Sequence, residues 1–130
     1  DSGVDILMGI GGAPEGVITA AALKCMDGDF QARLVPDNEE EVRRCHEMGI
    51  MDMKQVFTID ELVKSEDVIF VATGITDSFL IQGVRYLRGH AITQTIVMRS
   101  KSGTIRFIEA NHRLDKKPLF SDQRIKLRMD

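Results

Sequence analysis

Apolar positions change their spacing several times along the chain, and each change marks an element. Val4–Ile10 is an apolar run that reads as a buried strand, and it leads into the loop Gly9-Ile10-Gly11-Gly12. From Ala13 the spacing becomes helical. Pro14 suits a first helical turn, where its missing N–H costs nothing. Val17, Ala21 and Cys25 form one apolar row, and Ile18, Ala22 and Met26 the next. Thr19 and Lys24 are the polar interruptions, so this helix is expected to be largely buried. Asp27-Gly28 ends it, with Gly28 expected at the left-handed position.

Gln31–Val35 reads as a short strand closed by Pro36. Asn38 and Glu41 form an N-terminal cap for a helix whose inner stripe is Val42, Cys45 and Met48. Lys54–Phe57 is extended, and Thr58-Ile59-Asp60-Glu61 is a capping box for a short helix through Lys64. Asp67–Ala72 is a second apolar strand, ending in the loop Thr73-Gly74-Ile75-Thr76-Asp77. Ala91–Arg99 and Thr104–Glu109 then read as a hairpin around Ser100-Lys101-Ser102-Gly103, with one face of its second strand solvated. The polar tail from Asp115 frays or wraps the surface. This order of elements predicts one α/β unit with an antiparallel C-terminal element.

Composition narrows the function classes. The chain has 130 residues, 43% of them hydrophobic and 28% charged, enough for one domain with a core. A net charge of −3 gives no reason to expect nucleic acid or an anionic membrane as a partner. No apolar run has the length of a membrane span, and no signal pattern opens the chain. Cys25 and Cys45 fall inside helical patterns and are expected to be reduced core thiols, with no paired spacing for zinc. The chain opens at Asp1 and runs straight into its first strand, so it is expected to be part of something longer.

The loop Gly9–Gly16 holds the candidate chemistry. A strand, glycines and a helix start bring open backbone to an anion-friendly terminus. Three readings are open. One is a tight turn without ligand, with Glu15 serving only helix electrostatics. Another is a dinucleotide site, since Gly9-Ile10-Gly11 begins G-x-G-x-x-G and Asp37 lies where a ribose-binding acid would fall; Pro14 then stands where the last glycine belongs. A Walker loop fails because Val17 replaces the lysine. In the last reading a divalent metal sits between Glu15 and a sugar phosphate held by the backbone of Gly11, Gly12 and Ala13. Asp5, Asp27, Asp29 and Asp77 are further carboxylates in reach of consideration, without forming a cluster with Glu15.

The run Val4–Val17, with its Gly-Gly-Ala-Pro-Glu-Gly ending, resembles the C-terminal part of class II fructose-1,6-bisphosphatases. These are bacterial enzymes, some of which also act on sedoheptulose 1,7-bisphosphate. The similarity continues through Asp27-Gly28-Asp29, Arg44–Ile50 and Val68–Thr76, reaching to about Leu114.

The resemblance implies a lithium-sensitive sugar-phosphatase fold of α/β class, a mixed sheet with flanking helices and a C-terminal antiparallel hairpin. Residues 1–130 would be its C-terminal domain. It implies hydrolysis of the 1-phosphate of fructose 1,6-bisphosphate with Mn²⁺ or Mg²⁺, a cytoplasmic reaction of gluconeogenesis and glycerol metabolism. Glu15 is then a metal ligand, and Gly12 contacts substrate, with Gly11 and Ala13 beside it. The general base and the other metal carboxylates would come from the N-terminal portion of the same enzyme, so this chain alone is expected to be inactive. A homo-oligomer is expected, with neither nucleic acid nor membrane as a partner. The competing class is a non-catalytic nucleotide- or phosphate-binding α/β module on the same turn.

Other residues carry two readings each. Thr73–Asp77 either flanks the cleft or only ends a strand. Arg99, Lys101 and Arg106 make the hairpin basic, as a solvated face or as a distal phosphate clamp. His46, His90 and His112 read as surface residues. Met48, Met51 and Met53 read as core or interface filler.

Overall fold

Pro14, with no N–H to leave unpaired, stands in the first turn of helix α1 (Ala13–Lys24), directly behind Gly12. The computed structural model describes residues 6–117 of the chain. The chain divides into two compact units, residues 1–68 and 69–130.

The first unit holds α1, strand β1 (Gln31–Arg33), helix α2 (Glu39–Glu47), strand β2 (Val56–Thr58) and the one-turn helix α3 (Ile59–Leu62). Strands β1 and β2 pair antiparallel, Gln31 opposite Thr58 and Arg33 opposite Val56. The caps follow the local sequence closely. Asn38 Oδ1 accepts the Glu41 N–H at 2.9 Å, and the Glu41 carboxylate reaches back to the Asp37 N–H at 2.9 Å. Thr58 donates its N–H (2.8 Å) and its hydroxyl (3.0 Å) to Glu61 Oε2. Those two donors hold the Glu61 carboxyl below its ordinary range.

Several expectations for this unit are corrected. Ile6–Ile10 is not a strand, and Ile10 is 94% exposed; Val4 and Asp5 lie outside the described residues. A strand needs a neighbour for its N–H and C=O groups, and no described strand pairs with this run. Helix α1 is not largely buried either. Ala20 and Cys25 are covered, while Val17, Ile18 and Met26 are exposed. A helix apolar on every side needs packing on every side, and its main neighbour within the unit is α3. At its end, Asp27 rather than Gly28 takes the left-handed conformation, with φ 55°. The Gly28 N–H then closes on the Leu23 carbonyl at 2.9 Å. Gly28 is small because of packing: a Cβ there would lie 3.2 Å from Leu23 Cδ2. In α2, Cys45 is buried but Met48, expected in the same stripe, is exposed, as is Met51. Helix α3 stops at Leu62, before the expected Lys64, because Val63 leaves helical geometry at φ −127° and ψ 85°.

The second unit is a four-stranded antiparallel sheet of β3 (Ile69–Thr73), β4 (Arg85–Leu87), β5 (His90–Arg99) and β6 (Thr104–Arg113). The long strand β5 pairs with all three others. The expected hairpin forms with Arg99 opposite Thr104, and Gly103 closes its turn at φ 57°. Its second strand runs on to Arg113, past the expected Glu109. Both faces of β6 carry exposed apolar side chains, Phe107 on one and Ile108 on the other, where one solvated face was expected. Ile81, Ala91, Ile96 and Met98 are buried. The expected mixed sheet thus takes the form, among the described residues, of two sheets with antiparallel ladders throughout. The chain remains of α/β class, helices accompanying sheets. The polar tail beyond Lys117 lies outside the described residues. No described helix is long and apolar enough to cross a membrane.

Candidate active site

Gly12 is the N-cap of α1, with extended backbone at φ −67° and ψ 153°. It has no side chain to cap with, and the helix start receives no side-chain cap. The first helical hydrogen bond runs from the Gly16 N–H to the Gly12 carbonyl at 3.0 Å. Pro14 has no N–H, so the Ala13 and Glu15 N–H groups are left without acceptors inside the helix. The positive end of the helix dipole lies at the same place.

Glu15 shares this first turn. Its carboxylate lies over Gly12, so that a Cβ on Gly12 would collide with Oε2. Gly9, Gly11 and Gly16 face open space. Gly11, Gly12, Ala13 and Glu15 are all solvent-exposed. The loop is therefore a small open cradle: backbone N–H groups, a gap in place of a Cβ, and one hard anionic oxygen donor folded over that gap.

That donor chemistry fits one corner of a divalent-cation site. It does not fill a shell of about six oxygens. Asp29 Oδ1 is engaged by the Phe30 N–H at 2.8 Å, and Asp77 Oδ1 by the Gly83 N–H at 2.9 Å. Asp27 sits at the far end of α1, and Asp5 lies outside the described residues. Among the described residues, no group of three or more His, Cys, Asp or Glu could hold a metal ion.

The family described as bacterial fructose-1,6-bisphosphatase, glpX-encoded, matches residues 1–112, the glycine loop included. The chain belongs to this family. A D-fructose 1,6-bisphosphatase class 2/sedoheptulose 1,7-bisphosphatase of Synechococcus sp. (strain JA-3-3Ab) is 46% identical over 126 residues, covering 88% of this chain and 36% of its own length. The protein of the same description from Synechococcus sp. (strain JA-2-3B'a(2-13)) gives the same figures. That of Synechococcus elongatus is 43% identical over 121 residues, 84% of this chain and 35% of its own length. The chain thus spans about a third of the length of these curated bisphosphatase relatives.

Elsewhere the geometry favours structural roles. The Thr73–Asp77 loop is tightly closed: the Gly74 N–H bonds to the Gln94 carbonyl at 3.0 Å, and the Val84 N–H to the Ile75 carbonyl at 3.1 Å. His46 is exposed. His90 Nδ1 lies 2.8 Å from Asn111 Oδ1, and His112 Nε2 lies 2.9 Å from Thr93 Oγ1. Cys25 and Cys45 are free and buried, as expected of core thiols.

The polar interruptions of α1 are accounted for. Thr19 Oγ1 donates to the Glu15 carbonyl at 2.8 Å. Lys24 Nζ donates to Asp60 Oδ1 at 2.7 Å and to the Val63 carbonyl at 2.8 Å. The Lys24 arrangement has no local sequence signature, because its partners, Asp60 and Val63, lie 36 and 39 residues away. Its one trace in the sequence is a lysine set in the mostly apolar second half of the helix.

Proposed function

We propose that this chain is part of a metal-dependent sugar bisphosphatase that removes the 1-phosphate of fructose 1,6-bisphosphate, in the cytoplasm and as a step of gluconeogenesis. The observation that carries this reading is the Gly12–Glu15 arrangement, a carboxylate folded over a glycine at an uncapped helix start. The family match across that loop supports it.

In this reading Glu15 gives one oxygen to Mn²⁺ or Mg²⁺. The chemistry such an ion supplies is neutralisation of charge on the transferring phosphoryl group. Ala13 and Glu15 N–H groups, with the helix dipole, orient an anionic oxygen of the substrate. Gly11 lets that oxygen approach the backbone, while Gly12 leaves room beside it for the Glu15 carboxylate. Without a cation the Glu15 carboxylate repels the same phosphate, so substrate binding at this loop is metal-dependent. The remaining carboxylates and the general base come from the N-terminal portion of the enzyme. The exposure of Ile6–Ile10, Val17 and Ile18 supports a surface that such a portion covers.

Calorimetry on the full-length protein tests the reading, with fructose 1,6-bisphosphate, NAD and ATP as ligands, with and without Mn²⁺. Sugar-bisphosphate binding that requires Mn²⁺, accompanied by phosphate release, is the expected result. Metal-independent NAD or ATP binding would replace it with the nucleotide-binding module.

A further inference from the structure

We propose that Lys24 is a positioning residue for Glu15, fixing the axis of α1 and so the place of its carboxylate. The inference rests on Glu15 being a metal ligand.

Lys24 occupies the last turn of α1, and Glu15 the first. Its side chain is 14% exposed, whereas that of its partner Asp60 is 80% exposed. The lysine has thus been brought to α3 rather than left in water. Its ammonium spans that helix. Asp60 lies in the first turn, and Val63 is the residue just past the last, whose carbonyl has no further helix to bond to. One turn of helix has no stability of its own. Helix α3 is held at its start by Thr58 and Glu61 and at its end by Lys24. Thr58 also ends β2, which is paired to β1. Beside Lys24, Cys25 Sγ approaches the Val68 carbonyl at 3.6 Å. A continuous chain of bonds therefore runs from the β1–β2 ladder through α3 to the C-terminal end of α1.

The N-terminal half of α1 is held less firmly, since Val17 and Ile18 are exposed. By the helical rise, Glu15 stands about 14 Å along the axis from Lys24. A tilt of about 5° at that anchor would carry the carboxylate by about 1 Å. Mg²⁺ requires near-ideal octahedral geometry, whereas Ca²⁺ accepts variable coordination. Loss of the anchor is therefore selective among cations, which a merely structural lysine would not make it.

The test is calorimetric titration of Mg²⁺ and Ca²⁺ into the full-length protein and its K24M, D60N and E15Q variants, with thermal melting alongside. K24M keeps most of the apolar stem and removes both bonds. It is expected to weaken Mg²⁺ by about tenfold and Ca²⁺ by less than about threefold. A K24M protein that melts earlier yet binds both ions as the parent does overturns the proposal, as does an equal loss of both ions. If K24M does not fold, D60N decides: Asp60 is exposed, so the fold survives, and Mg²⁺ should weaken by about threefold. Unchanged Mg²⁺ binding in D60N then overturns it. E15Q separates the two layers. It should weaken both ions, and if it weakens neither, the metal-ligand reading beneath the proposal fails on its own account.

Discussion

The Glu15 carboxylate occupies the space that a Cβ on Gly12 would need. Gly12 itself has φ −67°, a value any residue adopts, so its backbone is not what requires glycine there. The requirement is steric and local. In G12A the Cβ must push away the mobile end of Glu15. Stability is expected to fall by about 0.5–1 kcal/mol, since alanine is a poorer N-cap than glycine. Divalent-metal affinity and bisphosphatase turnover of the full-length protein should each fall by about tenfold or more. Melting curves and Mn²⁺ titrations check both halves. Normal metal affinity in G12A would show that the carboxylate's position over Gly12 is incidental.

E15Q tests the charge instead of the position. The amide keeps the shape and loses the anionic oxygen that a hard cation needs. Turnover at limiting Mn²⁺ is expected to fall by about a hundredfold or more, by analogy with loss of one key electrostatic group. The melting temperature should stay within about 5 °C of the parent. Near-normal turnover at limiting Mn²⁺ would remove Glu15 from the metal site.

Local chemistry was the legible part of this chain. Asn38 with Glu41 and Thr58 with Glu61 lie three residues apart, so one turn of backbone determines whether they meet, and they do. The hairpin turn at Gly103 was equally local. The glycine loop stood out as a candidate site because a strand-like run, glycines, Pro14 and Glu15 are consecutive. What failed depended on partners. Ile6–Ile10 has the pattern of a strand, but pattern does not supply a neighbour to bond with. The apolar surface of α1 announced burial, and the described unit covers only part of it. Lys24 and Asp60 meet across 36 residues, where no spacing rule applies. At the end of α1, sequence pointed to Gly28 for the left-handed residue, whereas Asp27 takes it and Gly28 yields space to Leu23. Aspartate tolerates that conformation better than most residues do.

Gly74 and Gly16 should behave oppositely. Gly74 is buried, and a Cβ on it would run into the Gln82 carbonyl, a backbone atom that cannot swing aside. G74A is expected to cost about 1–3 kcal/mol, the range for overpacking. Gly16 lies within α1 with nothing near its would-be Cβ. G16A should stabilise by about 0.5–1 kcal/mol through helix propensity. Urea unfolding of the two variants beside the parent would show opposite shifts in midpoint. A stabilised G74A would contradict the packing of the Thr73–Asp77 loop against Gln82.

Acid should release the helix α3 cap through Glu61. Its carboxyl lies below the ordinary 4.5, because the Thr58 N–H and hydroxyl both donate to the ionised form. The sign follows from linkage. The folded state binds this proton more weakly than the unfolded state does, so the unfolded state carries more proton as pH drops. The cap's contribution is therefore fully present well above 4.5, and it is lost progressively as pH falls from about 4.5 through the lowered folded value. E61Q cannot ionise and has no such dependence at this position. In urea unfolding at pH 6 the parent should be the more stable of the two, and its advantage should shrink steadily as pH falls below 4.5. The T58V variant, which keeps the N–H and removes the hydroxyl, should retain part of the difference, because the backbone bond is the larger of the two causes. An advantage that persists undiminished well below pH 4.5 would mean that the cap does not depend on the ionised carboxylate.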